Sequence, residues 1–241
     1  MTHPEMSGTG ETPANPRSTA GNAELERPVP STDERSDRVT EPLQQARDFA
    51  AAGEMSAALT VVRALIAREP RHVRARFLLA ELLAQKGDSE GALGELSRAL
   101  DTAPDDVAVL RARAAIYTAR GKYDQAEVDL RRAVKVDDRN ADVQVQLGVL
   151  FCKRARWREA VEPLRAAIAA DPRNAAAHYH LGDAYNSIDD LPAALSAYEA
   201  AAQLEPGNDR PLKRIGVVLD RMGRPAEAAA AYQRARAAIR R

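Results

Sequence analysis

From Val39 onward the sequence repeats itself every 34 residues, and no other property constrains its fold as tightly. Sliding the chain against itself gives one register without insertion or deletion: 39–72, 73–106, 107–140, 141–174, 175–208 and 209–241. Position 20 of the repeat holds Ala58, Ala92, Ala126, Ala160, Ala194 and Ala228, and position 8 holds Ala46, Ala80, Ala114, Gly148, Gly182 and Gly216. Large residues recur at position 11 (Phe49, Leu83, Tyr117, Phe151, Tyr185, Leu219) and at position 24 (Val62, Leu96, Leu130, Leu164, Tyr198, Tyr232).

Each repeat reads as two helices, A and B, joined by a turn. Ala, Leu, Arg and Glu dominate and aromatics make up only 4%, which is helix-forming chemistry. Positions 8 and 20 are expected to meet where the antiparallel helices cross, because Gly or Ala lets two backbones approach closely. A glycine inside a helix costs roughly 0.5–1 kcal/mol, so Gly148, Gly182 and Gly216 need such a packing reason. Gly53, Gly87, Gly121 and Gly223 sit at position 15, where the A–B turn calls for a left-handed residue. Pro70, Pro104, Pro172 and Pro206 end helix B, and Asp106, Asn140, Asn174 and Asn208 stand where the next helix needs its cap. Pro192 and Pro225 fall in the first turn of helix B, where a missing N–H is harmless.

Residues 1–38 carry Pro4, Pro13, Pro16, Pro28 and Pro30 and few large apolar side chains, so they are expected to form a disordered tail. Lys plus Arg and Asp plus Glu both number 35, a balance that argues against a general nucleic-acid binder. No N-terminal apolar run has signal-peptide length, and no stretch approaches the ~20 apolar residues of a membrane span. The single Cys152 leaves no intramolecular disulfide and fits a reducing compartment, so a soluble, cytoplasmic location without membrane attachment is expected.

Catalysis finds little footing. Cys152 has Lys153 and Gln146 as neighbours but no His near in sequence, and reads as a half-buried inert thiol. The acidic pairs Asp105-Asp106, Asp137-Asp138 and Asp189-Asp190 fall in turns, where Asp caps helices. No phosphate-binding glycine loop, HExxH or CxxC occurs. His178 and His180 lie two apart on a helix and point to different sides, which does not suit a shared metal. His178 reads instead as the large residue of position 4. No enzyme, cofactor or metal site is expected.

The columns resemble the tetratricopeptide repeat, most closely in Leu147-Gly148…Phe151…Ala160…Ala167…Pro172 and Leu181-Gly182…Tyr185…Ala194…Tyr198…Ala201…Pro206. Departures are Gln45 and Arg113 in place of Leu, Asp138 in place of Pro, and Ala155 and Asp189 in place of the turn Gly; Arg113 suggests a local polar contact or looser packing. The resemblance implies an all-α, right-handed α-solenoid of six tandem helix–turn–helix repeats, each burying its neighbour's face. It also implies a concave groove lined by helix A positions 2, 5, 6, 9, 12 and 13, which binds peptides or helices of partner proteins. Transferred to this chain, the middle of that groove holds Phe77, Leu78, Ala112, Ala115, Val145 and Val149, with Arg74, Glu81 and Arg111 adding charge. Repeats five and six present Tyr179, His180, Asp183 and Asn186 beside Arg210, Lys213, Arg214 and Arg221, a set that suits an acidic segment or a C-terminal carboxylate. The carboxylate clamp of some relatives is only half matched: Arg210 and Arg214 fit it, whereas Val145 and Val149 replace its first pair. A solvating helix often follows the last repeat in the family. None follows here, so the last helix is expected to cap itself or to pair weakly with a second copy through Tyr232 and Ile239. The expected function is a non-catalytic interaction scaffold or adaptor, with a regulatory or targeting subunit of an enzyme or a secretion or envelope-assembly machine as the alternative. The Arg- and Ala-rich composition points to a bacterial source.

Overall fold

The computed structural model describes residues 32–238. Among these residues there are twelve α-helices and no strand: α1 (Thr32–Ala51), α2 (Met55–Arg68), α3 (Val73–Gln85), α4 (Ser89–Thr102), α5 (Val107–Ala119), α6 (Tyr123–Val136), α7 (Ala141–Lys153), α8 (Trp157–Ala170), α9 (Ala175–Ser187), α10 (Leu191–Leu204), α11 (Asp209–Arg221) and α12 (Pro225–Ala238). Both helix series advance in steps of 34, from Val73 to Asp209 for the A helices and from Met55 to Pro225 for the B helices. Helix α1 departs from this spacing by starting at Thr32, inside the segment expected to be tail. The rest of that expectation, residues 1–31, lies outside the described residues.

The local signals explain where the helices begin and end. Asp106, Asn140 and Asn174 each accept a hydrogen bond from the backbone N–H three residues on, at 3.1, 3.2 and 2.9 Å. Asn208 cannot do the same, because the third residue on is Pro211, which has no N–H. Its side chain accepts from Arg210 N instead, at 3.0 Å. His72 caps α3 through Nδ1, a role the sequence reading did not assign. The four position-15 glycines have φ between 70° and 88°. Ala155 and Asp189 occupy the same turn with φ of 55° and 67°, so packing holds the left-handed conformation even where the residue resists it.

Helix pairs stack in one dimension. Each helix packs on its sequence neighbours, and α1 with α3, α5 with α7 and α7 with α9 also touch directly, while no pair of B helices makes comparable contact. The A helices therefore form the crowded inner row of an α-solenoid. One apolar core runs from Leu43 to Ala197 and a second from Ala194 to Ala235, with Tyr185 packed against both.

At position 8 the geometry sets a large side chain of helix B against the small residue of helix A. A Cβ added at Gly148 would lie 2.5 Å from Leu164, at Gly182 2.6 Å from Tyr198, and at Gly216 2.4 Å from Tyr232. All three neighbours are position 24 of the same repeat. The small residue on helix A thus seats a large side chain from helix B. The position-20 alanines are fully buried as well.

Two polar devices supplement this packing. Arg76, Gln144 and His178, all at position 4, reach the position-32 carbonyl oxygen of the preceding repeat, with Arg76 Nε 2.9 Å from Pro70 O, Gln144 Nε2 2.9 Å from Asp138 O and His178 Nε2 3.1 Å from Pro172 O. His178 is therefore a bridge between repeats. The departure at Arg113 is also explained. Its guanidinium donates to both oxygens of Asp129, at 2.8 and 2.7 Å, and to Ser97 Oγ at 3.1 Å. Asp129 is only 3% exposed, so this bidentate pair crosses from α5 to α6 inside the stack.

Glycine substitutions test the seat. Gly182→Ala is expected to destabilise by about 1–3 kcal/mol, because the Tyr198 ring is fully buried and cannot yield. Gly94→Ala in α4, where nothing lies within 4 Å, should stabilise by roughly 0.5–1 kcal/mol. Urea unfolding of both variants checks the contrast. Arg113→Leu restores the repeat's usual residue, yet it should cost about 3 kcal/mol by leaving Asp129 unpaired, and adding Asp129→Ala should recover most of the loss.

Candidate functional site

Side chains at helix A positions 2, 5, 6, 9, 12 and 13 make contacts between neighbouring A helices at two places. Arg111 on α5 pairs with Asp142 on α7, and Arg221 on α11 donates to Asn186 O on α9 at 2.9 Å and to Asp189 at 2.8 Å. At these six positions the described chain carries Arg47, Arg74, Arg111, Lys153, Arg210, Lys213, Arg214 and Arg221 against Glu81, Asp142, Asp183 and Asp220. An excess of cations thus gathers on the inner face of a chain whose formal charge is zero.

Three zones follow one another. In repeats one and two Arg74 is exposed and Phe77 is half-buried against the core. Glu81 has its carboxyl pushed up by partial burial, an effect that the positive charge of Arg47 offsets in part. Leu78, expected to line the groove, is 4% exposed and belongs to the core instead. Position 6 of that repeat points between helices rather than into the open.

The middle zone is an apolar cleft of about 300 Å³ between α5 and α7. Val145, Val149 and Ala115 line it as expected, and the structure adds Thr118, Ala119, Gln146 and Lys153, with Leu130 at its base. Ala112 packs against the core. The Oε1 atom of Gln146 is shielded from solvent and accepts no hydrogen bond from the protein. Nothing in the sequence pattern marks that atom, because its isolation depends on which neighbours turn away.

In the third zone the expected residues come together on α9, α10 and α11. Asp183 is the hub. Tyr198 donates to its Oδ1 at 2.7 Å, Arg214 Nε lies 3.4 Å from the same oxygen, and His180 Nδ1 lies 3.7 Å from Oδ2. Burial pushes the Asp183 carboxyl up, but His180, Tyr198 and Arg214 outweigh burial and hold it below the usual range. Burial and then Asp183 hold the Tyr198 hydroxyl well above its ordinary range. Arg214 also donates to the Tyr179 hydroxyl at 3.3 Å, while the Arg210 guanidinium stacks 4.9 Å from the centre of the Tyr179 ring. The cations of this zone are thus partly paired. Lys213 is tied to Asp209 and Arg221 to Asp189 and Asn186, whereas Arg74, Lys153 and Arg210 have no ion-pair partner among the described residues.

Among the described residues no group of three or more His, Cys, Asp or Glu side chains is placed to hold a metal ion, and no helix is long and apolar enough to cross a membrane. Cys152 lies half-buried at position 12 of repeat four. Burial, reinforced by the negative charge of Asp183, pushes its thiol up to about 12.

A tetratricopeptide repeat family model matches residues 43–107 and 145–209. Among solved structures, a MamA crystal structure is 27% identical with a TM-score of 0.64, covering 66% of this chain and 94% of that one. PilF of Pseudomonas aeruginosa is 17% identical with a TM-score of 0.73, over 82% of this chain and 90% of that one. YrrB, described as a TPR protein with an unusual peptide-binding site, is 19% identical with a TM-score of 0.64, over 74% of this chain and 92% of that one. The last two likenesses, at such identities, speak for the fold alone. No curated protein matches the chain.

The raised thiol gives a direct check. With its pKa about 12, Cys152 should carry a thiolate fraction at pH 8 more than about 100-fold below that of a free cysteine, since each unit is a factor of ten. Labelling by a disulfide reagent in the folded protein should be slower in proportion and should reach the free-thiol rate only in denaturant.

Proposed function

Because the chain belongs to the tetratricopeptide repeat family, whose members are protein-interaction modules, we propose that it is a non-catalytic scaffold holding an extended or helical segment of a partner protein along its inner face. The observation that carries the reading is the α5–α7 cleft. It is apolar, faces the crowded A-helix row and is flanked on both sides by charged zones. An apolar floor between charged rims is the arrangement by which protein interfaces anchor a side chain and fix its register.

Arg74, Phe77, Glu81 and Arg111 form the near zone of this surface, Val145 and Val149 its floor, and Tyr179, His180, Asp183, Asn186, Arg210, Lys213 and Arg214 its far zone. Asp183 acts there as internal support: it orients Arg214 and Tyr198, and a partner meets the cations it holds in place. The far zone suits an acidic segment, because Arg214 meets Asp183 and Tyr179 through its Nε and Arg210 has no ion-pair partner among the described residues.

Affinity capture from the native cell with three baits tests the reading. Val149→Glu puts a charge on the floor of the cleft and should reduce partner recovery at least about tenfold, since an unpaired charge in an apolar contact costs more than one hydrogen bond. Val128→Glu alters a side chain that is 68% exposed on α6, away from the inner row, and should leave recovery unchanged. If Val128→Glu removes partners and Val149→Glu does not, binding uses the outer surface and the inner-face reading fails.

A further inference from the structure

The B helices carry a ridge and a groove of their own, away from the inner row. Val128 is 68% exposed and Val136 49% exposed on α6. Each stands four residues from Arg132, so the three form one i±4 ridge on the open side of the helix, about 12 Å long. Arg132 is held by Asp105 at 2.8 Å, which leaves the two valines as the apolar points of the ridge. Because neighbouring B helices do not pack on one another, a groove opens between α8 and α10. It holds about 410 Å³ between Ile168 and Ala169 on one side and Ala193 and Ala197 on the other, over a floor of Leu181 and Tyr185 from α9. Walls built largely of alanine leave the room that a ridge of bulkier side chains fills when one helix packs on others.

We propose that two copies of this chain associate back to back, the Val128–Val136 ridge of each seated in the α8–α10 groove of the other. Three observations select a second copy as the occupant. The ridge spans repeat positions 22–30 and the groove is lined from position 19 to position 29, so both lie at one level along the B helices. A two-fold axis parallel to those helices therefore lays both ridges on both grooves at once, and the contact closes on itself. One ridge in one groove is a small contact, and reciprocity doubles it. Charge agrees with the pairing. Lys135 beside the ridge and Glu199, one turn beyond Ser196 of the groove wall, are exposed and have no ion-pair partner among the described residues. The two-fold arrangement brings these opposite charges together across the contact. A formal charge of zero also removes long-range repulsion between copies. Both inner faces stay open in such a dimer.

Sedimentation velocity of the intact chain over a wide range of concentration tests the dimer, with thermal melts by circular dichroism as the check that each variant folds. A monomer–dimer equilibrium that stops at two copies is expected. Val136→Glu places a charge on the ridge and Ser196→Trp fills the groove, and each should raise the dissociation constant at least about tenfold. Both side chains are exposed, so the melts should match that of the parent. Lys135→Glu should weaken the dimer about fivefold, and adding Glu199→Lys should restore it. Val149→Glu on the inner face should leave the dimer intact, which separates this proposal from the inner-face reading. A chain that stays monomeric at every concentration overturns the dimer and leaves the groove to another protein or to solvent. A dimer indifferent to both Val136→Glu and Ser196→Trp forms elsewhere, the last helix included, and overturns the assigned surface. Growth beyond two copies overturns the two-fold arrangement.

Discussion

Everything in this stack depends on one steric bargain inside each repeat: a residue without a bulky side chain on helix A makes a seat for a large one on helix B. Gly148 receives Leu164, Gly182 receives Tyr198 and Gly216 receives Tyr232, each so closely that even a methyl group would collide. The contact fixes the distance and crossing of the two helices, and hence where the next pair can dock. Repeating it every 34 residues propagates one geometry along the chain. The repeats with Tyr at position 24 both pair it with Gly at position 8, whereas Leu at position 24 meets Ala in repeats two and three and Gly in repeat four.

The seat also shapes the inner face. Tyr198 is fully buried by packing on Gly182, and its hydroxyl donates to Asp183 and fixes that carboxylate for Arg214. Core packing and surface chemistry are therefore joined through a single side chain. The same logic operates in repeat six, where Tyr232 packs on Gly216 and donates to Asp220 at 2.9 Å. In repeats two and three, which have Leu at position 24, buried acids at position 23 take over the polar role, with Glu95 held by Arg76 and Asp129 by Arg113.

What the sequence disclosed and what it withheld divide along a physical line. Period, helix pairs, turn glycines and cap residues were legible because each is set by neighbours within a few positions, and local chemistry repeats when the structure does. The seat that position 8 makes for position 24 was not legible, because columns reveal sizes and not distances. Leu78 was assigned to the groove by its column, yet local rotation buries it. The far-zone residues were named correctly as neighbours, but the pairing of Lys213 with Asp209 and of Arg221 with Asp189 reduces the free charge. The Gln146 acceptor left no trace in the pattern, since its state reflects the absence of a partner.

Stacking confined to neighbours gives the molecule the mechanics of a spring. Among the described residues every substantial helix contact is within a repeat or with the adjacent one, so bending is shared among many small joints and no single contact must break. The span along the inner row is thus compliant, able to lengthen or shorten as each joint rotates slightly. A segment lying across several repeats would clamp those joints together and stiffen the whole coil, so that occupancy at one end is felt as altered elasticity at the other.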